Sequence, residues 1–289
     1  MDDRDDECGY HAAPAAERKI EDMITRRDFA KLAAAGAVSS ALPLSAAANK
    51  LNVGIGTYSF HSYSFDDMVT QLKKLQVAEI EMSRGEFMLM NHPADDLFKS
   101  ARQKLDAGGI RCVSYYSATI KTDEDVDTVI RGAKALGASN VSGDATGGIL
   151  NTIDKKLSAA GLSFGIHNHF FPGEKFAYES PEDVLKALKG LSNTCGSTAD
   201  VGHFASCGYA PVESIRKLAS RLKLVHLKDI ETAGGEVNVR LGKGIARIPD
   251  VMTELHRQNF SRLVAIEYEK EGNVDDVMKY DVEFARKLA

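Results

Sequence analysis

Residues 162–170 read LSFGIHNHF. The run is apolar and short, and Pro172-Gly173 closes it, as expected of a buried strand. SPEDVLKALKGL (180–191) follows, a helix with Ser180 as its cap and Pro181 at its first position. Two imidazoles, His167 and His169, sit at the end of this strand. A spacing of two puts both on one face. The pair therefore asks for a fold in which strand ends from several units share a cavity.

Outward from this unit the same alternation recurs. On the N-terminal side, LNVGIGTYSF (51–60) precedes the helix FDDMVTQLKKLQ (65–76), and VAEIEM (77–82) precedes a helix opened by Pro93 and closed by Gly108-Gly109. IRCVSYYS (110–117) leads to a helix capped by Thr122, with acidic residues in its first turn and Gly137 at its end. SNVSGDA (139–145) leads to a short helix. On the C-terminal side come GSTADVGHF (196–204), LKLVHLKDI (222–230) and LVAIEYE (263–269), each before a helical segment. Residues 49–289 thus hold eight strand–helix units, the content of a single-domain α/β (β/α)8 TIM barrel of about 250 residues. An open doubly wound sheet would need a GxGxxG turn after its first strand, and GIGTYS (54–59) has only the first two glycines. Gly54 and Gly56 are better read as clearing space inside a barrel.

The chain has 289 residues and a formal net charge of -5, with no Lys/Arg-rich stretch, which argues against nucleic acid as a partner. Residues 1–22 are acidic and polar, either a disordered extension or sequence upstream of a start at Met23. Residues 23–48 read as a twin-arginine export signal: Arg26-Arg27, then an Ala-rich stretch broken by Gly36 and Pro43, then small residues for cleavage near Ala46–Ala48. The stretch is too mild for a lasting membrane anchor, and a periplasmic location is expected. Three of the four cysteines follow that signal, an odd count without CxxC spacing, so a free thiol is expected and a cysteine metal site is not.

Polar residues gather at the C-terminal strand ends, where TIM-barrel active sites lie. Strand two ends in Glu79 and Glu81, strand five in His167 and His169, strand six in Asp200 and His203, strand seven in His226, Lys228 and Asp229, and strand eight in Glu267 and Glu269. Each residue has a plainer reading, such as a turn cap for Asp200 or a core histidine for His226. Together, imidazoles and carboxylates converging away from water would be costly unless paired, and a divalent cation of the Mn, Fe, Co, Zn or Mg type resolves that cost.

IHNH (166–169), DVGHFASCGYAP (200–211), HLKDI (226–230), LGKGI (241–245) and AIEYE (265–269), in this order, resemble the series carried by the xylose-isomerase-like TIM-barrel superfamily of sugar phosphate isomerases and epimerases. The resemblance covers about residues 50–289. It implies Asp200, His226 and Glu267 as metal ligands, with His167 or His169 completing the set. His167 stands where many members carry glutamate, and it is the strand-five residue assigned to the metal here. The resemblance also implies that His203 lies beside the metal ligands or contacts substrate and that Lys228 holds a substrate oxygen; apart from the resemblance, Glu267, His169 and His203 are the candidate bases, and Glu81 is expected at the substrate.

The leading expectation is a metal-dependent isomerase or epimerase acting on a sugar or oxidised sugar by proton transfer through an enediolate. The same site design serves a lyase or dehydratase. A non-catalytic sugar-binding barrel is a third reading. An apurinic-site endonuclease fits poorly with eight histidines in all and an acidic chain. The partner expected is a small-molecule sugar, and a homo-oligomer is left open.

Overall fold

The computed structural model describes residues 50–289. The acidic extension, the expected signal at 23–48 and Cys8 lie outside the described residues. Eight parallel strands close into one barrel: β1 (Asn52–Gly56), β2 (Glu79–Met82), β3 (Arg111–Ser117), β4 (Asn140–Gly143), β5 (Ser163–His167), β6 (Cys195–Asp200), β7 (Leu222–Leu227) and β8 (Leu263–Ile266), with β8 returning to pair with β1. The helices between them are α1 (Phe65–Lys74), α2 (Asp95–Ala107), α3 (Asp123–Leu136), α4 (Ile149–Ala160), α5 (Pro181–Ala187), α6 (Val201–Ser206), α7 (Pro211–Leu218), α8 (Ile248–Arg257) and α9 (Asp275–Leu288). The expected (β/α)8 architecture is the one observed.

Local chemistry fixes the helix ends. Thr122 and Asp125 form a reciprocal capping box at α3, and Ser180 and Asp183 do the same at α5, which also carries Pro181 in its first turn. Gly137 ends α3 at φ 76°, a left-handed conformation that glycine adopts without steric cost. The main core lies between strands and helices, with Ile55, Ile80, Tyr115, Phe164, Val225 and Ile266 all fully buried. Cys112, Cys195 and Cys207 are unbridged. Among the described residues, no helix is long and apolar enough to cross a membrane.

The inside of the barrel is divided. Leu224, Leu263 and Ala265 form a small apolar cluster there. Elsewhere hydroxyls and amides fill the space: Ser114 Oγ donates to Glu81 Oε1 at 2.8 Å, Asn140 Nδ2 donates to Ser114 Oγ at 3.0 Å, and Ser142 Oγ lies 2.7 Å from Thr198 Oγ1. Gly54 does clear space. A Cβ there would stand 2.2 Å from the Glu79 carbonyl oxygen and 2.7 Å from Leu263 Cδ1.

Several boundaries differ from the sequence reading, and each difference moves a side chain. β6 stops at Asp200, whose carboxylate accepts the His203 N–H at 2.9 Å and caps α6. His203 therefore stands on a helix, one turn beyond the strand. β1 ends at Gly56 and gives way to a 3-10 turn at Thr57–Phe60. The polar connection after β7 contains a hairpin, Asp229–Ile230 paired antiparallel with Asn238–Val239. The helix after β4 is not short but spans 12 residues. Glu79 lies at the start of β2, ion-paired with Arg111 and hydrogen-bonded by Asn52, away from the end where the other candidates gather.

Candidate metal centre and active-site cavity

Four side chains meet at the C-terminal end of adjacent strands β5 to β8. His167 closes β5, Asp200 closes β6, His226 lies within β7, and Glu267 follows β8. Each offers one ligand atom, and these atoms lie within 4.8 Å of one another. All four are buried, with exposures of 4%, 0%, 1% and 6% in that order. His167 Nδ1 and Nε2 and His226 Nδ1 have no hydrogen-bond partner, and Asp200 Oδ2 accepts no hydrogen bond although the Lys228 ammonium stands 3.0 Å away. Buried imidazole nitrogens without partners are costly. Two imidazoles and two carboxylates around one point are a donor set suited to a divalent transition metal, so the residues fit the ion expected.

Surrounding groups aim these donors. Asn168, between the two histidines, faces away from the cavity because side chains alternate along the strand. It accepts the Asp200 N–H at 2.8 Å and donates to the Asp200 carbonyl at 3.0 Å, which locks β5 to β6 at the height of the centre. Glu81, expected at the substrate, is fully buried and does not line the cavity. Its Oε2 instead lies 2.6 Å from His226 Nε2, on the far side of that ring from the cluster. Asp229 holds the LGKGI loop, accepting N–H groups from Gly242, Gly244 and Ala246 at 2.8–3.0 Å.

Lys228 is enclosed by acidic groups. Its Nζ lies 3.0 Å from Asp200 Oδ2, 3.3 Å from Glu267 Oε2, 2.9 Å from Glu269 Oε1 and 3.0 Å from His203 Nε2. Burial opposes the ammonium, but Asp200, Glu269 and Glu267 outweigh it and raise its pKa. Burial would likewise raise the Asp200 carboxyl, yet His203 and Lys228 hold it well below the usual range. At His226, burial is overcome by Glu267 and Glu81, which keep the ring well above the ordinary histidine value. At His169, burial with His167 and Lys228 close by brings the pKa down to about 3, and His203 is lowered well below normal chiefly by burial. Burial thus biases both rings toward the neutral form, and His203 Nε2 faces the Lys228 ammonium at 3.0 Å. They form a second close group with His167, the three ligand atoms again within 4.8 Å.

The centre opens into a cavity of about 600 Å³. His167, His169, His203, His226, Lys228, Glu267 and Glu269 line it, as do residues the sequence reading did not single out: Tyr58, Ser83, Tyr116, Phe171, Glu236 and Asn238 among them. Most of these come from loops, where no periodicity marks an inward face. Asn168 was the one positional signal available, as the odd residue between two histidines.

The xylose isomerase-like TIM barrel family matches residues 149–288, which contain all four residues of the centre. The chain folds as a TIM barrel, and over that span it resembles the xylose isomerase-like family. Among solved structures, an uncharacterized protein from Parabacteroides distasonis ATCC 8503 is 26% identical, with 83% of this chain and 100% of that one covered at a TM-score of 0.63. D-allulose 3-epimerase from Methylomonas sp., in complex with D-allulose, is 12% identical over 83% and 98%, with a TM-score of 0.66. The probable 3-DHS dehydratase AsbF from Bacillus anthracis is 14% identical over 81% and 98%, with a TM-score of 0.67. No curated protein matches the sequence.

Proposed function

We propose that the protein is a divalent-metal-dependent sugar isomerase or epimerase that moves a proton between carbon positions of a sugar or oxidised sugar. The observation that carries this reading is the His167, Asp200, His226 and Glu267 cluster, with its buried, unpartnered imidazole nitrogens at the floor of a cavity. These four residues would hold a divalent cation, which when bound would supply Lewis-acid polarisation of a sugar carbonyl.

The chain's own groups do the rest. Glu267 enters from the end of β8 and His169 from the end of β5, with β6 and β7 between them, so the sugar carbon lies between two proton-handling groups. His169, whose Nδ1 has no hydrogen-bond partner, lines the cavity beside His203 and is placed to take up the proton. Lys228 donates to a substrate oxygen, at a place fixed by its ion pairs with Asp200, Glu267 and Glu269. Return of the proton to the neighbouring carbon is isomerisation, and return to the opposite face is epimerisation. Loss of a β-leaving group instead makes the enzyme a lyase or dehydratase, a reading favoured by the likeness to AsbF. We further propose export through the twin-arginine route, tested by replacing Arg26-Arg27 with lysines and following the precursor.

The experiment is elemental analysis of the wild type and Asp200→Ala, followed by NMR of sugars incubated in D₂O. A stoichiometric ion in the wild type alone, with deuterium entering one carbon, supports the mechanism. A wild type that takes up no divalent ion refutes it and leaves the non-catalytic sugar-binding barrel.

A further inference from the structure

The cavity is several times larger than a hexose needs, since a hexose fills roughly 200 Å³ at organic packing density. Its two ends differ in chemistry. The floor is the histidine and carboxylate cluster. The mouth carries an apolar side formed by Met88, Phe170, Phe171 and Val237, of which Phe171 and Val237 remain 47% and 45% exposed. These residues come from three places, the segment after β2, the segment after β5 and the turn of the Asp229–Val239 hairpin. An aromatic and aliphatic rim left open over a polar floor is a surface that an occupant covers.

The charge of the wall says what the occupant lacks. Glu236, Glu267, Glu269 and Glu271 line the cavity against two cations, Lys228 and Lys270. Lys228 is already surrounded by Asp200, Glu267 and Glu269. Among the described residues no arginine lines the cavity, so none of them offers the bidentate fork that suits phosphate or carboxylate. Carboxylates only accept hydrogen bonds, and Glu236 at the mouth therefore selects hydroxyl donors and repels anions.

We infer that the substrate is an uncharged glycoside, with its reacting sugar on the floor and its second unit packed on Phe171 and Val237 at the mouth. This deepens the proposed function and rests on it. Glu236 and Glu271 of the same wall disfavour a phosphate or carboxylate away from the metal centre.

The test is ligand-observed NMR titration of the metal-loaded full chain with three matched series, gluco, galacto and manno. Each series comprises the free hexose, its phenyl glycoside and its 6-phosphate. In at least one series the phenyl glycoside binds about tenfold more tightly than the hexose, and the 6-phosphate about tenfold more weakly. The double variant Phe171→Ala/Val237→Ala, at exposed positions, keeps hexose affinity and loses the glycoside advantage. The inference is overturned if the 6-phosphate equals the hexose, if no series favours the glycoside (absence of binding included), or if the double variant retains the advantage. Metal content is measured on the same samples. Protein that holds its ion but shows no glycoside preference sinks this inference alone, whereas protein without an ion sinks the catalytic reading beneath it.

Discussion

Glu81 Oε2 stands 2.6 Å from His226 Nε2, and neither side chain is more than 1% exposed. With Nε2 engaged, His226 turns its unpartnered Nδ1 to the cluster, 3.2 Å from Glu267 Oε2. A carboxylate behind a ligating imidazole fixes the ring and raises its basicity. Glu81→Gln should therefore lower divalent-ion affinity by about 10–100-fold with the fold intact. Chelator competition measures it, and unchanged affinity would detach Glu81 from the centre.

Lys228 places a positive charge 3.0 Å from Asp200 Oδ2 and 3.3 Å from Glu267 Oε2, so it opposes a cation at the same carboxylates. Lys228→Met should retain the ion and bind it at least about tenfold more tightly, while turnover falls. The gain in thermal stability on adding the ion should grow to match. Weaker ion binding in this variant would mean that the lysine supports the ligands more than it repels the cation.

Asp229 gathers three N–H groups of the LGKGI loop and its neighbour onto one buried carboxylate. Asp229→Ala should cost about 2–3 kcal/mol and open that loop, because three N–H groups, one of them buried at Ala246, lose their shared acceptor. Hydrogen exchange across 241–247 and denaturant unfolding report the two effects separately. Asp229→Asn, which keeps one acceptor oxygen, should fall between.

Asp281 accepts the Leu241 N–H at 2.8 Å, and burial pushes its carboxyl up to about 7. From about 4, the ordinary value, to about 7, the folded state keeps a proton that the unfolded chain has lost. Stability from this group thus falls as pH rises through that window. Asp281→Asn should match the wild type near pH 4 and melt roughly 3–8 °C higher at pH 8. A constant difference in Tm across this range would show that Asp281 is ionised throughout.

The barrel was legible because each unit announces itself: Thr122 and Ser180 cap helices, and Pro181 sets a first turn, as the sequence implied. His167, Asp200, His226 and Glu267 could be read as neighbours because consecutive strands must be adjacent in a parallel barrel. Height along the barrel was harder. Period-two alternation puts Glu79 and Glu81 on one face but does not say which end of the barrel each occupies. The register also shifts between Ile80 and Glu81. His203 was misplaced because nothing in DVGHF marks where extension stops, until Asp200 is seen to cap the turn. Phe171, Glu236 and Val237 lie in connections, whose path follows from tertiary packing.

The hydroxyls inside the barrel have a polarity of their own. Ser114 gives its proton to Glu81, so it can only receive from Asn140 and Ser142, and Thr198 stands next in line at Ser142. While Glu81 is anionic, the O–H dipoles from β6 back to β2 are biased to point toward it. The negative charge behind His226 is thereby shared along a relay that crosses half the barrel. Thr198→Val, four strands round the barrel from Glu81, would leave every ligand in place and still alter how strongly His226 donates its lone pair.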